Sequence, residues 1–190
     1  MAEGTLFYVV GASGSGKDTL MRYGRQRLAG DPDVIFAHRY ITRPVELLGE
    51  NHVALTEGEF DARQAAGFFA MNWSSHGLRY GIGREINLWL AKGCNVVMNG
   101  SRAYLIEARR SYPALIAVLV TVSPEILAAR LKARARETDA QIVGRLLRAP
   151  QFMPPVGNVE IIQNDGDLCQ AGENFVQVIS ASTASSRAIA

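Results

Sequence analysis

The stretch GASGSGKDT, residues 11–19, has the spacing glycine, four residues, glycine, lysine. Before it runs a short apolar segment, TLFYVV (residues 5–10), and after it DTLMRYGRQRL, with Leu20, Tyr23, Arg27 and Leu28 at helical spacing. Strand, glycine turn and helix are the context in which this spacing makes a phosphate cradle. Glycines let successive backbone N–H groups converge on phosphate oxygens. The helix N-terminus adds positive potential, and Lys17 supplies a full charge to the β- and γ-phosphates. Gly11, Ala12, Ser13, Gly14, Ser15 and Gly16 would form the cradle, with Lys17, Asp18 and Thr19 opening the helix, and the ligand expected there is a nucleoside triphosphate.

Asp18 stands where such loops usually carry a hydroxyl for Mg²⁺. Two readings are open. In one, Asp18 is a first-turn acid favoured by the helix dipole, and Thr19 or water serves the metal. In the other, Asp18 is itself a Mg²⁺ ligand, directly or through water. The apolar run that should end in a metal-binding acid, NVVMNGSRA, ends in Asn99. The second reading therefore has Asp18 replacing that missing negative charge from the other side of the metal.

Further apolar runs, VIFA (34–37), CNVVM (94–98), ALIAVLVTV (114–122) and VEII (159–162), alternate with helical patterns such as REINLWLAKG and SPEILAARLKARA. That alternation predicts an α/β fold with a central parallel sheet covered by helices on both faces. A length of 190 residues with 48% hydrophobic content fits one domain, here about 1–180. The stretch 41–91 is too long for a simple crossover. It is expected to be an insert forming a second binding surface, with a short helix near 57–66 and a strand near 68–73. The small polar residues of 181–190 predict a frayed tail.

Twenty basic residues against eighteen acidic ones leave a formal charge of +2, too balanced for a nucleic-acid or membrane binder on charge alone. Cys94 and Cys169 sit in apolar patterns without metal-ligand spacing, and the N-terminus lacks a secretory pattern, so a reducing cytoplasm is expected. Any anion site must then be local. Arg130, Arg134 and Arg136 lie on one helical pattern and Arg145 and Arg148 follow the turn ETDAQ, an arrangement suited to a mobile lid over about 130–148. The insert carries Arg39, Arg43, His52, His76, Arg79, Tyr80 and Arg84, and Arg102 follows in NGSRA. Arginine forks of this kind suit a second, phosphorylated substrate.

These motifs, in order along nearly the whole chain, resemble the guanylate kinase group of P-loop kinases. GASGSGKDT is similar to its phosphate loop, ITRP (41–44) to its substrate-phosphate motif, HGLRYG (76–81) to its histidine-glycine-tyrosine-glycine turn, RLKARARETDAQIVGRL to its lid, and IIQNDGDL (161–168) to its adenine loop. The resemblance implies ATP as donor with Mg²⁺, Arg43 and Tyr80 on substrate phosphate, Arg134 and Arg145 as catalytic residues beside Lys17, and Asn164 near adenine.

The acceptor side departs from that group. The place of a second arginine falls in VELLG, a tyrosine's place holds His52, the guanine-reading glutamate's place holds Ser74, and a further aspartate is Asn99. A site built to read guanine loses discrimination without those partners. With GKDT, ITRP, GENHVAL, HGLRYGI and VVMNGSRA together, the chain closely resembles the ribose 1,5-bisphosphate phosphokinases. That resemblance implies ATP-dependent phosphorylation of ribose 1,5-bisphosphate to 5-phosphoribosyl 1-diphosphate in phosphonate catabolism. It also implies a small phosphosugar held by Arg43, His52, Tyr80 and Arg102. A nucleoside monophosphate kinase and a binding module without catalysis are the alternatives. Oligomeric state is left open.

Overall fold

Alternate residues of β1 (Leu6–Gly11) belong to two different cores: Leu6, Tyr8 and Val10 to one, Phe7 and Val9 to the other. Successive strand side chains point to opposite faces, so a strand apolar at every position must be covered on both. The computed structural model describes residues 3–45, 50–133 and 157–187, and places β1 at the centre of a five-stranded sheet. Its order is β2 (Val34–Phe36), β7 (Asn95–Asn99), β1, β8 (Ile116–Thr121) and β9 (Val159–Gln163). Every pairing among these strands is parallel.

Helices α1 (Lys17–Arg27) and α6 (Leu168–Arg187) cover one face through Leu20, Met21, Ala171, Phe175 and Ile179. The other face is packed by α3 (Glu85–Ala91) and α4 (Leu105–Ser111), through Ile86, Leu90, Leu105 and Ala108. Between α1 and α6 the approach is close because each contributes a glycine. A Cβ on Gly24 would lie 2.7 Å from the Phe175 ring, and one on Gly172 would lie 2.5 Å from the Tyr23 ring.

A second sheet rises from the carboxyl end of β2, in the order β4 (Val53–Ala54), β3 (Arg39–Ile41), β6 (Leu78–Gly83), β5 (Phe69–Ser75). Ser75 pairs with Leu78 across a two-residue turn, His76 and Gly77, both at positive φ (52° and 74°), as a tight hairpin requires. Helix α2 (Glu57–Ala65) starts in a capping box: Thr56 accepts from the Glu59 N–H, and the Glu59 carboxylate accepts from the Thr56 N–H. Phe60 of α2 packs with Leu55 and Phe69 in a small separate core.

The parallel sheet, its flanking helices, and the insert's helix and strand lie where the sequence pattern predicts them. The insert's limits are different. Its sheet begins at Arg39, and residues 85–91 pack on the main sheet, because Ile86 and Leu90 complete the core around Val96 and Met98. The stretch expected as a frayed tail is helical as far as Arg187. Residues 181–187 contain neither glycine nor proline, so a helix anchored at Phe175 and Ile179 propagates into them.

Buried Asn95 ties three elements together. Its Oδ1 accepts from the Thr5 N–H at 3.0 Å, and its Nδ2 donates to the Ile179 carbonyl at 3.1 Å. Asn95→Ala leaves both backbone groups without these partners and should lower unfolding free energy by about 1–3 kcal/mol, measured by urea denaturation.

Candidate active site

The phosphate loop leaves β1 at Gly11, and Gly16, at φ 85°, turns the chain into α1 without a side-chain cap. The first N–H groups of the helix are therefore left for a ligand. Gly11 is required by close approach: a Cβ there would stand 2.6 Å from Ser15 Oγ and 2.8 Å from the Val120 carbonyl. From the side, Ala12 packs against Leu127 and Leu131 of α5 (Pro124–Ala133).

The loop's shape is held by residues far away in sequence. Asn164, just past β9, donates from Nδ2 to the Ser15 carbonyl at 2.7 Å. Arg130 of α5 donates to the Asn164 carbonyl at 2.9 Å and, more weakly, to the Ser15 carbonyl at 3.4 Å. The resemblance implies Asn164 near adenine; in the structure the residue is only 3% exposed, with its side chain turned under the loop. Neighbouring Asp165 accepts from the Ser123 N–H at 2.6 Å; that bond first, and one from Gln163, hold its carboxyl below the usual range. The segments after β8 and β9 are thereby joined behind the loop.

Lys17, Asp18 and Asn99 close into a triangle. Lys17 Nζ donates to Asn99 Oδ1 and approaches Asp18 Oδ1 at 3.3 Å, while Asn99 Nδ2 donates to the same Asp18 oxygen at 3.1 Å. Burial pushes the Lys17 ammonium below its ordinary pKa, with Asp18 opposing, Arg39 adding to the fall and Glu50 opposing again. Asn99 is buried at the end of β7, whereas the Asp18 side chain is 67% exposed beside the cradle. Asn99, at the strand end where an acid is expected, and Asp18 on the helix are thus in direct contact.

Arg39 and Glu50 bring the insert into electrostatic reach of Lys17. Arg39 donates from Nε to Glu50 Oε1 at 2.6 Å and from Nη2 to Oε2, a side-on fork with both partners largely buried. Nearby, His38 Nε2 accepts from Arg25 at 3.2 Å and from Asn51 at 2.9 Å, and burial together with Arg25 lowers its pKa. Behind β7, the Tyr8 hydroxyl donates to the Ser101 carbonyl at 2.9 Å and accepts from the Ser101 N–H at 3.0 Å, fixing the turn that carries Arg102. Burial raises the Tyr8 pKa. Gly100 is needed there, since a Cβ would run into the Tyr8 ring.

Among the predicted acceptor residues, Tyr80 lies on β6 opposite Ile41, and Arg43 follows β3 with its Nε buried and without a hydrogen-bond partner among the described residues. His52 takes a different part. At 5% exposure, its Nδ1 faces the Glu50 carbonyl at 2.8 Å and its Nε2 the Arg43 carbonyl at 3.0 Å. Its ring braces the backbone on either side of the segment between those residues. Arg79 is engaged with Asp61 and Gln64 of α2 at 2.5 and 2.6 Å. Arg134 and Arg145 lie outside the described residues.

Motif spacing does not single out Tyr8; Arg130 figures in it only as one of the lid arginines, Glu50 only within GENHVAL, and Arg39 only as one of several insert arginines. One signal for Arg39 was present: in HRYITRP, alternation along a strand puts Arg39 on the same face as Ile41, and hence as its cross-strand partner Tyr80.

No protein-family model matches the chain. It is 72% identical over 190 residues, the full length of both chains, to "Ribose 1,5-bisphosphate phosphokinase PhnN" of Thiobacillus denitrificans. To the protein of the same name from Chromobacterium violaceum it is 54% identical over 174 residues, 92% of each chain. Among solved structures, a guanylate kinase from Anaplasma phagocytophilum superposes with a TM-score of 0.67 at 12% identity, covering 95% of this chain and 86% of that one. At that identity the likeness concerns the fold alone, which is that of a guanylate-kinase-like P-loop kinase.

Asn164→Ala removes the direct donor to the Ser15 carbonyl and should weaken binding of a nonhydrolysable ATP analogue about tenfold, measured by titration calorimetry.

Proposed function

The chain belongs to the ribose 1,5-bisphosphate phosphokinases, and we propose on that premise that it moves the γ-phosphoryl group of ATP onto the 1-phosphate of ribose 1,5-bisphosphate. The products are 5-phosphoribosyl 1-diphosphate and ADP, and the process served is phosphonate catabolism. The observation that supports this reading best is the position of Lys17, at the mouth of a preformed phosphate loop and within electrostatic reach of the arginine-bearing insert.

In the reaction, an oxygen of the acceptor 1-phosphate forms a bond to the γ-phosphorus. The bond from that phosphorus to the β–γ bridging oxygen breaks, and ADP leaves with the oxygen. A phosphate monoester has a second pKa of about 6, so the attacking oxygen is already ionised near neutral pH and no strong base is needed. The protein's task is to position two polyanions and offset their repulsion. Lys17, partly desolvated, meets the β- and γ-phosphates, and its ammonium gains a fully ionised partner when they arrive. The buried, unpartnered Nε of Arg43 gives that side chain a donor for acceptor phosphate. Tyr80 and Arg102 are assigned to the same acceptor from their places in the motifs HGLRYG and NGSRA, while His52 holds the Arg43 backbone in place.

Asp18 offers a hard, exposed oxygen beside the cradle, and Thr19 follows it in the first turn of α1, a donor set that fits Mg²⁺. No three His, Cys, Asp or Glu side chains converge among the described residues. A Mg²⁺ ion held at Asp18 would rest chiefly on triphosphate oxygens and water, and it would supply charge neutralisation of the phosphates. The Asn99 amide, by donating to Asp18 Oδ1, aims that carboxylate.

The test is product formation from ATP and Mg²⁺ with ribose 1,5-bisphosphate, with guanosine monophosphate and with no acceptor, resolved by anion-exchange chromatography. Diphosphate product with ribose 1,5-bisphosphate alone is expected, and transfer to the nucleotide instead would overturn the assignment. Lys17→Met should abolish turnover with an unchanged circular dichroism spectrum. Asp18→Asn should raise the Mg²⁺ concentration needed for half-maximal rate and weaken calorimetric binding of the Mg²⁺ complex of an ATP analogue more than that of the metal-free analogue. Equal weakening of both would assign Asp18 to the helix dipole.

A further inference from the structure

Strand β6 lies between β3 and β5, so the ring of Tyr80 has a neighbour from each side. From β5, Trp73 is its direct register partner and stacks with it, centroids 5.6 Å apart and planes 6° apart. Tyr104 extends the column beyond Trp73 at 5.4 Å and is tied by a hydrogen bond to the Asn72 backbone. From β3, the Arg39 guanidinium lies over the Tyr80 ring, its Cζ 4.9 Å from the centroid. The column therefore runs from Arg39 through Tyr80 and Trp73 to Tyr104, and Tyr80 is flanked on both sides.

Two chemical consequences follow for whatever enters the acceptor side. A planar base that stacks on Tyr80 needs an open face of that ring, and Tyr80 has both faces in use. A guanine edge needs a carboxylate to accept its N–H groups, and both oxygens of Glu50 already accept from Arg39. The same fork uses Nε and one edge of Nη2, and among the described residues Nη1 makes no hydrogen bond. That edge can only donate, so it suits an anion.

We propose that Arg39, clamped by Glu50 and laid on Tyr80, is the specificity-determining residue of the acceptor site: it closes the stacking face to nucleobases and presents its remaining N–H groups to a phosphate of the sugar bisphosphate. The proposal rests on the activity assigned under Proposed function. Glu50 acts through Arg39 as a positioning residue. It holds the guanidinium over the ring, Cζ 4.9 Å from the centroid, and keeps a buried cation near Lys17 compensated.

The experiment compares wild type, Arg39→Ala, Arg39→Lys and Glu50→Gln, each assayed with ribose 1,5-bisphosphate and with guanosine monophosphate. Calorimetry with a nonhydrolysable ATP analogue is run in parallel. Arg39→Ala should raise KM for ribose 1,5-bisphosphate about 10- to 100-fold, the loss expected for a charged hydrogen bond, and should bring transfer to guanosine monophosphate above background. Affinity for the ATP analogue should stay within about twofold. Arg39→Lys should recover part of the phosphosugar KM, and Glu50→Gln should fall between it and wild type. If removing Arg39 alone unfolds the chain by stranding the Glu50 charge, the double variant Arg39→Ala/Glu50→Ala removes both charges and is expected to give the same acceptor profile. Unchanged KM and unchanged discrimination in a folded Arg39 variant would overturn the proposal while leaving the activity standing. Wild-type protein that ignores ribose 1,5-bisphosphate would overturn the activity reading, and this proposal with it.

Discussion

A loop that must gather anionic phosphate oxygens with backbone N–H groups has to hold its shape before the phosphate arrives, since an unfilled anion nest has little to keep it open. In this protein the restraint comes from the Ser15 carbonyl. Asn164 and Arg130 donate to it from behind, and the tight fits around Gly11 and Gly14 leave the chain no room to relax. Because Asn164 sits on the end of β9 and Arg130 on α5, the loop depends on the parallel sheet being complete at its far edge. The carboxyl ends of β1, β7, β8 and β9 thus act together, as expected for a parallel sheet whose ligands bind beyond its strand ends.

Charge is the second constraint. Lys17 is desolvated, Arg39 stands close enough to add to its discomfort, and two carboxylates, Asp18 and Glu50, offset the pair. Among the described residues, Lys17 meets Asp18 and Arg39 meets Glu50 while no substrate is present. Incoming phosphates can then replace those partners with stronger ones at little reorganisation cost. The contact between Asn99 and Asp18 belongs to the same arrangement. The carboxylate stands on the exposed first turn of α1, and the amide at the buried strand end bridges it to Lys17. There the acid lies where the helix N-terminus favours negative charge.

Features that depend on nearby residues were legible in the chain. The apolar runs that became β1, β7 and β8, the glycine spacing of the phosphate loop and the helix beginning near Glu57 each arise from a rule acting over a few residues. Side chains whose meaning depends on a distant partner were not legible in the same way. The bond from Asn164 to Ser15, 149 residues away, exists only once β9 pairs with β8 and turns the amide under the loop. His52 looked like a substrate ligand, but its two ring nitrogens face carbonyls of Glu50 and Arg43. The limits of the insert were misplaced for a related reason. Ile86 and Leu90 have the same helical spacing whichever core they join, and only the position of Val96 and Met98 decides between them.

By itself, then, the amino-acid order determined the class of fold and the presence of a phosphate loop, because strand alternation, helical periodicity and glycine spacing are short-range consequences of backbone geometry. Tertiary structure decided how the loop is braced, that Asp18 and Asn99 are partners, and that Arg39 is clamped across Tyr80 by Glu50. Those contacts join β1 to β9, α1 to β7, and β3 to the segment before β4, and no local pattern encodes which of many polar side chains will meet when the sheets close.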